Sequence, residues 1–219
     1  MAILVWDETG KKTYETGVSN VVLFPTTDAG AYAQGVAWNG VSAINENPSG
    51  ADQTKVYADN QVYLTLTGAE DYGFTIEAYD SPDEFDDCDG TRSPVEGVTI
   101  GQQTRTPFGI AYKTLIANDT KSYDYGYKLH MVFNCTAKPT TKSHGTISDS
   151  PQADAMSWEV STTPINVTGY KPSAHVTLDS TKIPAEKLKK IEDMIFGTTE
   201  TESKLPSIDE VIKTIKEAA

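Results

Sequence analysis

Residues 35–79 read GVAWNGVSAINENPSGADQTKVYADNQVYLTLTGAEDYGFTIEAY, and this stretch decides the fold class. It contains a strand pattern, a polar loop with proline and glycine, and two further strand patterns separated by a tight turn. Val62, Leu64 and Leu66 alternate with polar or tyrosine residues, which predicts a strand with one apolar face. The stretch contains no nucleophile–base pair, metal-ligand spacing or phosphate-binding loop, so it favours binding or assembly over catalysis.

Short strand patterns recur along the rest of the chain. Apart from the stretch above, they lie at residues 21–24, 108–116, 125–133, 156–160 and 174–178. They are separated by turns rich in glycine, asparagine, aspartate and proline. Seven or more short strands with such turns predict a sandwich or barrel of antiparallel sheets. We therefore expect a mainly β fold.

A helix is predicted over residues 184–196. Proline opens this segment and Gly197 follows its end, which is the usual arrangement at the two ends of a helix. Leu188, Ile191 and Ile195 recur at helical spacing and predict one apolar face. This helix is expected to flank the β-sheets.

A second, shorter helix is predicted within residues 205–219. Ser207 and Glu210 have the spacing of a capping box. The apolar stripe that follows consists of Ile208, Val211, Ile212 and Ile215. Because so short a helix is marginal alone in water, the stripe must dock. We favour its own domain over a neighbouring subunit, and divide the chain into a β-domain, 1–197, and a linker with an amphipathic helix, 198–219.

The charge of the chain limits its partners. It has 219 residues, 18 basic and 31 acidic, with a formal net charge of −13. Residues 181–219 carry seven lysines and eight acidic residues, so residues 1–180 carry 11 basic and 23 acidic residues and a net charge of −12. Nucleic acids and anionic membranes attract basic surfaces, and we expect this chain to bind neither.

Cysteine usage and the amino-terminal sequence indicate a cytoplasmic site of synthesis. Two cysteines, Cys88 and Cys135, do not make a disulfide framework. MAILVWDETGKK, at residues 1–12, lacks a basic region before its four-residue apolar run. We therefore expect neither a signal peptide nor a membrane span.

The acidic segment, residues 80–96, partly matches the pattern of a calcium-binding loop. Placing Gly90 at the invariant glycine of an EF-hand puts Asp87, Asp89 and Glu96 at ligand positions. Phe85 then occupies the first position, where an oxygen ligand is required. A solvated acidic turn is therefore favoured over a calcium site.

No catalytic residue, metal site or cofactor is predicted. His130, His144 and His175 show no spacing typical of metal ligands, and His130 is expected opposite Leu129 and Met131 on its strand. No nucleophile elbow, P-loop or dinucleotide-binding motif occurs. The sequence therefore predicts a protein that is not an enzyme.

Several strings of the chain are unusual enough to carry a resemblance. AWNGVSAINENPSGADQTKVYADN, at residues 37–60, is followed by DYGFTIEAYDSPDEFDDCDG, at residues 71–90. Further such stretches lie at residues 97–120, 127–151 and 156–165. Together they resemble the major tail tube protein of long-tailed, non-contractile bacteriophages, closest to phages and prophages of Gram-positive bacteria. The resemblance covers most of residues 1–197.

The resemblance implies a two-sheet β-sandwich or barrel with a flanking helix, in a structural subunit of a virion. Six copies would form a ring, and stacked rings would form a tube that conducts DNA without binding it. Tail tip, tape measure and tail terminator proteins are the implied partners, and assembly would occur in the host bacterial cytoplasm. A long loop between strands would contact the adjacent ring, and the candidate residues are Asn45, Glu46, Asn47, Pro48, Ser49, Gly50, Ala51, Asp52 and Gln53.

Two other functions compete with the tail tube. A phage-related β-sandwich adhesin or receptor-binding module would be a monomer or trimer with an exposed aromatic pocket. A hydrolase on a jelly-roll scaffold is the third possibility, although no group of residues argues for it. The acidic β-domain is consistent with the first reading, because a conduit with acidic walls would repel DNA.

Overall fold

The computed structural model describes residues 3–147, 149 and 153–217, so part of the stretch 127–151 lies outside the described residues. The strands are β1 Thr13–Pro25, β2 Val36–Ala37, β3 Val41–Glu46, β4 Ser49–Gly50, β5 Gln53–Ala58, β6 Gln61–Thr67, β7 Glu70–Asp71, β8 Gly73–Ala78, β9 Arg92–Val95, β10 Val98–Ile100, β11 Phe108–Asn118, β12 Ser122–Ala137, β13 Met156–Thr162 and β14 His175–Asp179. The helices are α1 Asp86–Asp89, α2 Ala185–Phe196 and α3 Ile208–Lys216.

Eight strands form one antiparallel sheet. Their order is β2-β1-β11-β12-β13-β8-β3, and β14 pairs with β12 beside that path. Three small two-stranded sheets, β4–β7, β5–β6 and β9–β10, lie outside the main sheet. The fold class predicted from the sequence, mainly antiparallel β with flanking helices, is confirmed.

The first core lies on one face of the main sheet and joins its two ends. It combines side chains of β1, β11 and β12 with side chains of β8 and β13. At its centre, the ring of Phe85 lies 4.5 Å from Trp38 and 5.5 Å from both Phe108 and Trp158, measured between ring centroids. Because strands from both ends share these contacts, the sheet curls over itself as a sandwich. Trp158 is fully buried in this core.

The second core lies between the opposite face of the sheet and the helices. Leu129, Met131 and Phe133 of β12 are buried against α2 and α3. The predicted apolar face of α2 is buried, and α3 contributes Ile208 and Val211 to the same core. The interpretation that the last helix docks on its own chain is therefore confirmed.

The helix ends follow the sequence signals with one exception. Pro184 is the N-cap of α2, and Gly197 ends that helix with φ 73°. The Ser207 side chain accepts a hydrogen bond from the Glu210 amide at 3.2 Å, as in a capping box. Glu210 does not return this contact, because its carboxylate pairs with Lys204 at 2.8 Å.

The polar loop predicted over residues 45–53 is only partly correct. Residues 47–48 and 51–52 lie outside the strands, but residues 45–46 end β3, residues 49–50 form β4 and Gln53 begins β5. Gly50 and Ala51 adopt φ 82° and 56°, which turns the chain sharply between the two strands β4 and β5. The turn residues that the sequence indicated are therefore present, and the short strands beside them pair with β6 and β7.

The acidic segment is more tightly folded than the predicted solvated turn. Phe85 is only 1% exposed and belongs to the first core. The first position of the calcium-loop pattern is therefore occupied by a core side chain and not by an oxygen ligand. The Asp89 carboxylate pairs with Arg105 at 3.3 Å and with Lys142 at 2.6 Å. These two cations balance the charge of Asp89, one of the three residues that the calcium-loop pattern places at ligand positions.

Truncation of Ile191 tests the second core. Ile191→Ala should lower the free energy of unfolding by about 2–5 kcal/mol, because it leaves a cavity beneath α2 where the side chain is fully buried. Urea denaturation followed by circular dichroism measures this loss. The exposed neighbour supplies a control, since Lys190→Ala should change stability by less than about 0.5 kcal/mol. Equal effects of both substitutions would contradict the described packing.

Candidate interaction surface

Residues 47–72 leave the main sheet as a long hairpin, here named the arm. At its root, Glu46 of β3 pairs with Phe74 of β8, and the Asn47 amide donates to the Gly73 carbonyl at 2.7 Å. The sheet β4–β7 continues the root, and β5–β6 forms the outer part. Each leg has about 12 residues, so the extended arm reaches up to roughly 40 Å.

The tip of the arm is a two-residue turn. Asp59 and Asn60 both have positive φ, 50° and 62°, which is the conformation of a type I′ hairpin turn. Sequence reasoning found β6 but missed β5, so it did not recognise the hairpin. The signal was present, because Asp59 and Asn60 separate Val56 and Tyr57 from the next apolar strand.

The large apolar side chains of β5 and β6 are exposed in the single chain. Every residue of β6 is exposed, including Leu66 at 55% and Tyr63 at 70%. The exposed large side chains of the arm are Val56, Tyr57, Val62, Tyr63, Leu64 and Leu66. The strand predicted from its alternation exists, and its apolar side chains are exposed rather than packed in a core. A concentrated set of exposed apolar side chains marks an interaction surface.

A bulge interrupts the alternation of the arm. Leu64 pairs with Val56 and Val62 pairs with Tyr57. Tyr63 is therefore an extra residue in β6 with no partner opposite it in β5. Successive residues of a strand point to opposite faces, and the two pairs therefore lie on different faces of the hairpin. Both faces of the arm carry apolar side chains as a result.

The root of the arm is sterically constrained at Gly50. A Cβ at this position would lie 2.5 Å from the Ala69 carbonyl oxygen, and φ is 82°. The Ala51 amide donates to the same carbonyl at 2.8 Å. Only glycine fits this bend without displacing the backbone of the other leg.

The arm and the main sheet also expose strand edges. In the described part of the chain, β5 and β6 pair only with each other, and β3 pairs only with β8. A groove of about 220 Å³ separates β1 from the free edge of β3, between Thr16–Val18 and Ser42–Ile44. Unpaired edges offer backbone donors and acceptors to a further strand. A second exposed hairpin, β9–β10, adds Val95, Val98 and Ile100.

Two histidines and a glutamate meet at the root of the arm. Glu46 ends β3, His130 lies in the middle of β12, and His175 begins β14. His130 Nδ1 lies 3.4 Å from His175 Nε2 and 3.8 Å from Glu46 Oε1. Thr177 Oγ1 lies 3.1 Å from His175 Nε2 and 3.3 Å from His130 Nδ1. Their ligand atoms all lie within 4.8 Å of one another, an arrangement that the sequence spacing did not indicate.

Tyrosine rings enclose this cluster and connect it to the arm. Tyr112 stacks on His130 with 4.6 Å between ring centroids and donates its hydroxyl to Glu46 at 3.1 Å. Tyr72, the last residue of the arm, stacks on His175 at 4.6 Å. The rings of His130 and His175 are nearly parallel, with centroids 5.6 Å apart, so their close nitrogens meet edge to edge. Tyr72 of the arm thus contacts the cluster, and Glu46, a member of the cluster, directly precedes the first leg of the arm.

Burial keeps both histidines neutral at neutral pH. Desolvation lowers the pKa of His130, although the carboxylates of Glu15 and Glu46 oppose this effect. Desolvation also lowers the pKa of His175 to about 4, opposed by the carboxylate of Glu46 and assisted by the neighbouring His130. Protonation of either ring in the folded chain therefore requires acidic conditions.

Hydrogen bonds fix the tautomer of His130. The Thr114 hydroxyl donates its proton to Glu15 Oε1 at 2.5 Å, because an ionised carboxylate can only accept. Thr114 Oγ1 must then accept from His130 Nε2–H, which lies 2.9 Å away. The proton of the neutral imidazole is thus on Nε2, and the lone pair of Nδ1 points towards His175 and Glu46. Glu15 is held in turn by an ion pair with Lys128.

Comparison with known proteins identifies no family. A scan against models of protein families found no match, and a search of curated proteins found none either. In the described part of the chain, no helix is long and apolar enough to cross a membrane. Function is therefore inferred from the residues and geometry of this chain.

Hydrogen exchange tests whether the arm is uncovered in solution. At low protein concentration, amides of β5 and β6 should exchange at least about 100-fold faster than those of β11 and β12, because a two-stranded hairpin is marginal in water. Exchange followed by peptide mass spectrometry measures both sets in one sample. Equal protection of the arm and the central strands in the monomer would contradict this description.

Proposed function

We propose that this protein is a structural subunit of a phage tail tube, which self-assembles into stacked hexameric rings for DNA delivery. The single observation that carries the proposal is the arm, a long apolar hairpin that the isolated chain leaves exposed. The resemblance over residues 1–197 supplies the hexameric ring and the tube. The protein then has a structural role and no enzymatic one.

A second copy of the same chain is the partner that fits the arm. Each copy carries both the exposed arm and exposed surfaces that can receive it, namely the β9–β10 hairpin and the groove between β1 and β3. The groove lies beside a free strand edge, to which an extended segment can add by backbone hydrogen bonds. Burying the arm would remove its leucine and tyrosine side chains from water, which favours association.

The geometry of this contact favours a polymer. An arm that inserts into a different surface of the next copy makes a heterologous interface. Such interfaces close into rings when the rotation closes and extend without limit along an axis when it does not. Copies of this one chain are therefore sufficient, in principle, to form the rings and to stack them. The predicted contact at residues 45–53 becomes the root of the arm in this proposal, and β5–β6 makes the longer contact.

The negative charge of the chain supports a tube that conducts DNA without binding it. Residues 1–180 carry a net charge of −12, and the polymer would repeat this charge in every subunit. The acidic residues are partly concentrated in one concave patch, which also contains the basic residue Arg92. Its acidic lining residues are Asp28, Asp83, Asp86, Asp87 and Glu96. We propose that acidic residues face the lumen, because basic walls would retain DNA through counterion release.

The remaining assignments follow from the tail-tube proposal. The assembled protein would be located in the virion tail, after assembly in the cytoplasm of the host bacterium. Its partners would be copies of itself and the tail tip, tape measure and tail terminator proteins. In the competing role, an adhesin or receptor-binding module, the exposed Tyr57 and Tyr63 near the tip of the arm would contact the receptor.

Charge substitutions in the arm test the assembly. Concentrated wild-type protein should form hollow tubes of uniform diameter in negative-stain micrographs. Leu64→Glu combined with Leu66→Glu should abolish the tubes, because two carboxylates would be buried in the contact between subunits. The melting temperature of the monomer should stay unchanged, since both leucines are exposed there.

Thr65→Glu is the matched control, because it adds charge between the two leucines of the same exposed strand. It should reduce tube formation far less than the double substitution. A stable monomer or trimer at every concentration of the wild type would contradict the tail-tube proposal and favour the receptor-binding role.

DNA binding tests the proposed lumen. Neither the monomer nor the assembled protein should retard duplex DNA in a gel at low salt, where electrostatic attraction is strongest. Titration of a labelled duplex with the protein, followed by fluorescence anisotropy, gives the same measurement in solution. Binding that weakens steeply with salt would reveal a basic surface and contradict an acidic lumen.

A further inference from the structure

We propose that Glu46, His130 and His175 form a binding site for a divalent transition metal of the zinc class, at the root of the arm. The site would be present in each single chain. It does not rest on the tail-tube proposal, because its ligands come from three strands of one main sheet.

The distances in the cluster fit a tetrahedral metal. With metal–ligand bonds of about 2.0–2.1 Å, the ligand atoms of a tetrahedral site lie about 3.4 Å apart. The nitrogens of His130 and His175 are 3.4 Å apart, and Glu46 Oε1 lies 3.8 Å from His130 Nδ1. An ion beside the line between the two nitrogens would be reached by turning both rings and the flexible glutamate side chain towards it.

The donor set is typical of zinc. Two imidazole nitrogens and one carboxylate oxygen are a common set of three protein ligands, which leaves a fourth position for water. Nitrogen donors favour zinc-class metals over calcium and magnesium, which prefer oxygen ligands throughout. The Thr177 hydroxyl, within 3.3 Å of both facing nitrogens, can hydrogen-bond a water at that fourth position.

The protein prepares His130 for metal binding. The chain of hydrogen bonds from His130 Nε2 to Thr114 and Glu15 leaves the lone pair of Nδ1 directed into the cluster. Metal-ligating histidines commonly use the other ring nitrogen in this way, because the hydrogen bond orients the ring and raises its basicity. Without a metal, two neutral imidazoles that face each other at 3.4 Å can share only one proton.

The surroundings of the cluster also fit a bound cation. Glu46 is exposed, so the cluster is open to solvent on that side. The groove between β1 and β3 reaches Tyr112 and Thr114, which both contact His130. The Tyr72 hydroxyl is buried and has no hydrogen-bond partner among the described residues. A bound water or ion commonly satisfies such an atom.

A metal at this position would join the arm to the main sheet. Glu46 is the last residue before the arm leaves β3, while His130 and His175 belong to the paired strands β12 and β14. The ion would therefore connect the first leg of the arm to the centre of the sheet. The direction in which the arm leaves the sheet would then depend on the metal.

Titration of the untagged full-length protein with Zn²⁺ and Co²⁺ tests the site. After removal of metals with a chelator, isothermal titration calorimetry should show one zinc site per chain. Co²⁺ should give the visible absorption of a tetrahedral complex, without the near-ultraviolet band of cobalt–thiolate bonds. That pattern distinguishes the cluster from Cys88 and Cys135, which are buried elsewhere in the first core.

Substitutions of the ligands distinguish the site from adventitious binding. His175→Ala and Glu46→Gln should each weaken zinc binding at least about tenfold. Glu46→Gln keeps the shape of the side chain and an acceptor for Tyr112, so this variant should fold even if His175→Ala does not. His144→Ala removes an exposed histidine outside the cluster and should leave zinc binding unchanged.

Thermal unfolding gives an independent measurement. Zinc should raise the melting temperature of the wild type and of His144→Ala, because a ligand that binds the folded state stabilises it. It should not raise that of Glu46→Gln to the same extent. Absence of a zinc site in the wild type, or equal affinity in Glu46→Gln and wild type, would overturn the proposal. Either result can be obtained whether or not the protein forms tubes.

Discussion

The structure depends on β12, whose alternating side chains must fill two separate cores. Leu129, Met131 and Phe133 pack against the helices, while Val132 lies in the first core with the aromatic rings. Cys135 also lies in the first core, because the pairing with β11 shifts by one residue between Val132 and Cys135. The same strand pairs with β11, β13 and β14, so it fixes the register of the centre of the sheet. A shift of one residue would exchange the two sets, and both cores would be lost.

Local sequence signals were sufficient wherever the chain itself covers an element. Phe74, Ile76 and Ala78 alternate and are buried, and Ser207 caps α3 as its spacing predicted. Along β6 the same alternation predicted the strand but belongs to an exposed hairpin. Periodicity reports that a face is apolar, but it does not report what covers that face. Pairing between β4 and β7 also depends on contacts across the hairpin, which the composition of residues 45–53 does not reveal.

The cluster of Glu46, His130 and His175 could not be found from spacing, because three distant segments supply it. His130 and Thr177 are paired across β12 and β14, which places His175 two residues along on the same face. Glu46 joins them only because the sheet curls and brings β3 close to β1 and β11. The sequence did predict that His130 lies on the opposite face of its strand from Leu129 and Met131, and this is correct. It gave no indication that His175 and Glu46 lie nearby.

The arm combines a weak outer part with a firmly held root. Its outer strands have only each other as partners, whereas Tyr72 and Glu46 at the root contact the histidines and Tyr112 of the main sheet. A surface with this many apolar side chains would promote uncontrolled association if it were flat and rigid. The high negative charge of the chain opposes such association at long range. In the proposed assembly, contact between copies would therefore have to be specific at short range, and the orientation of the arm at its root is what could make it so.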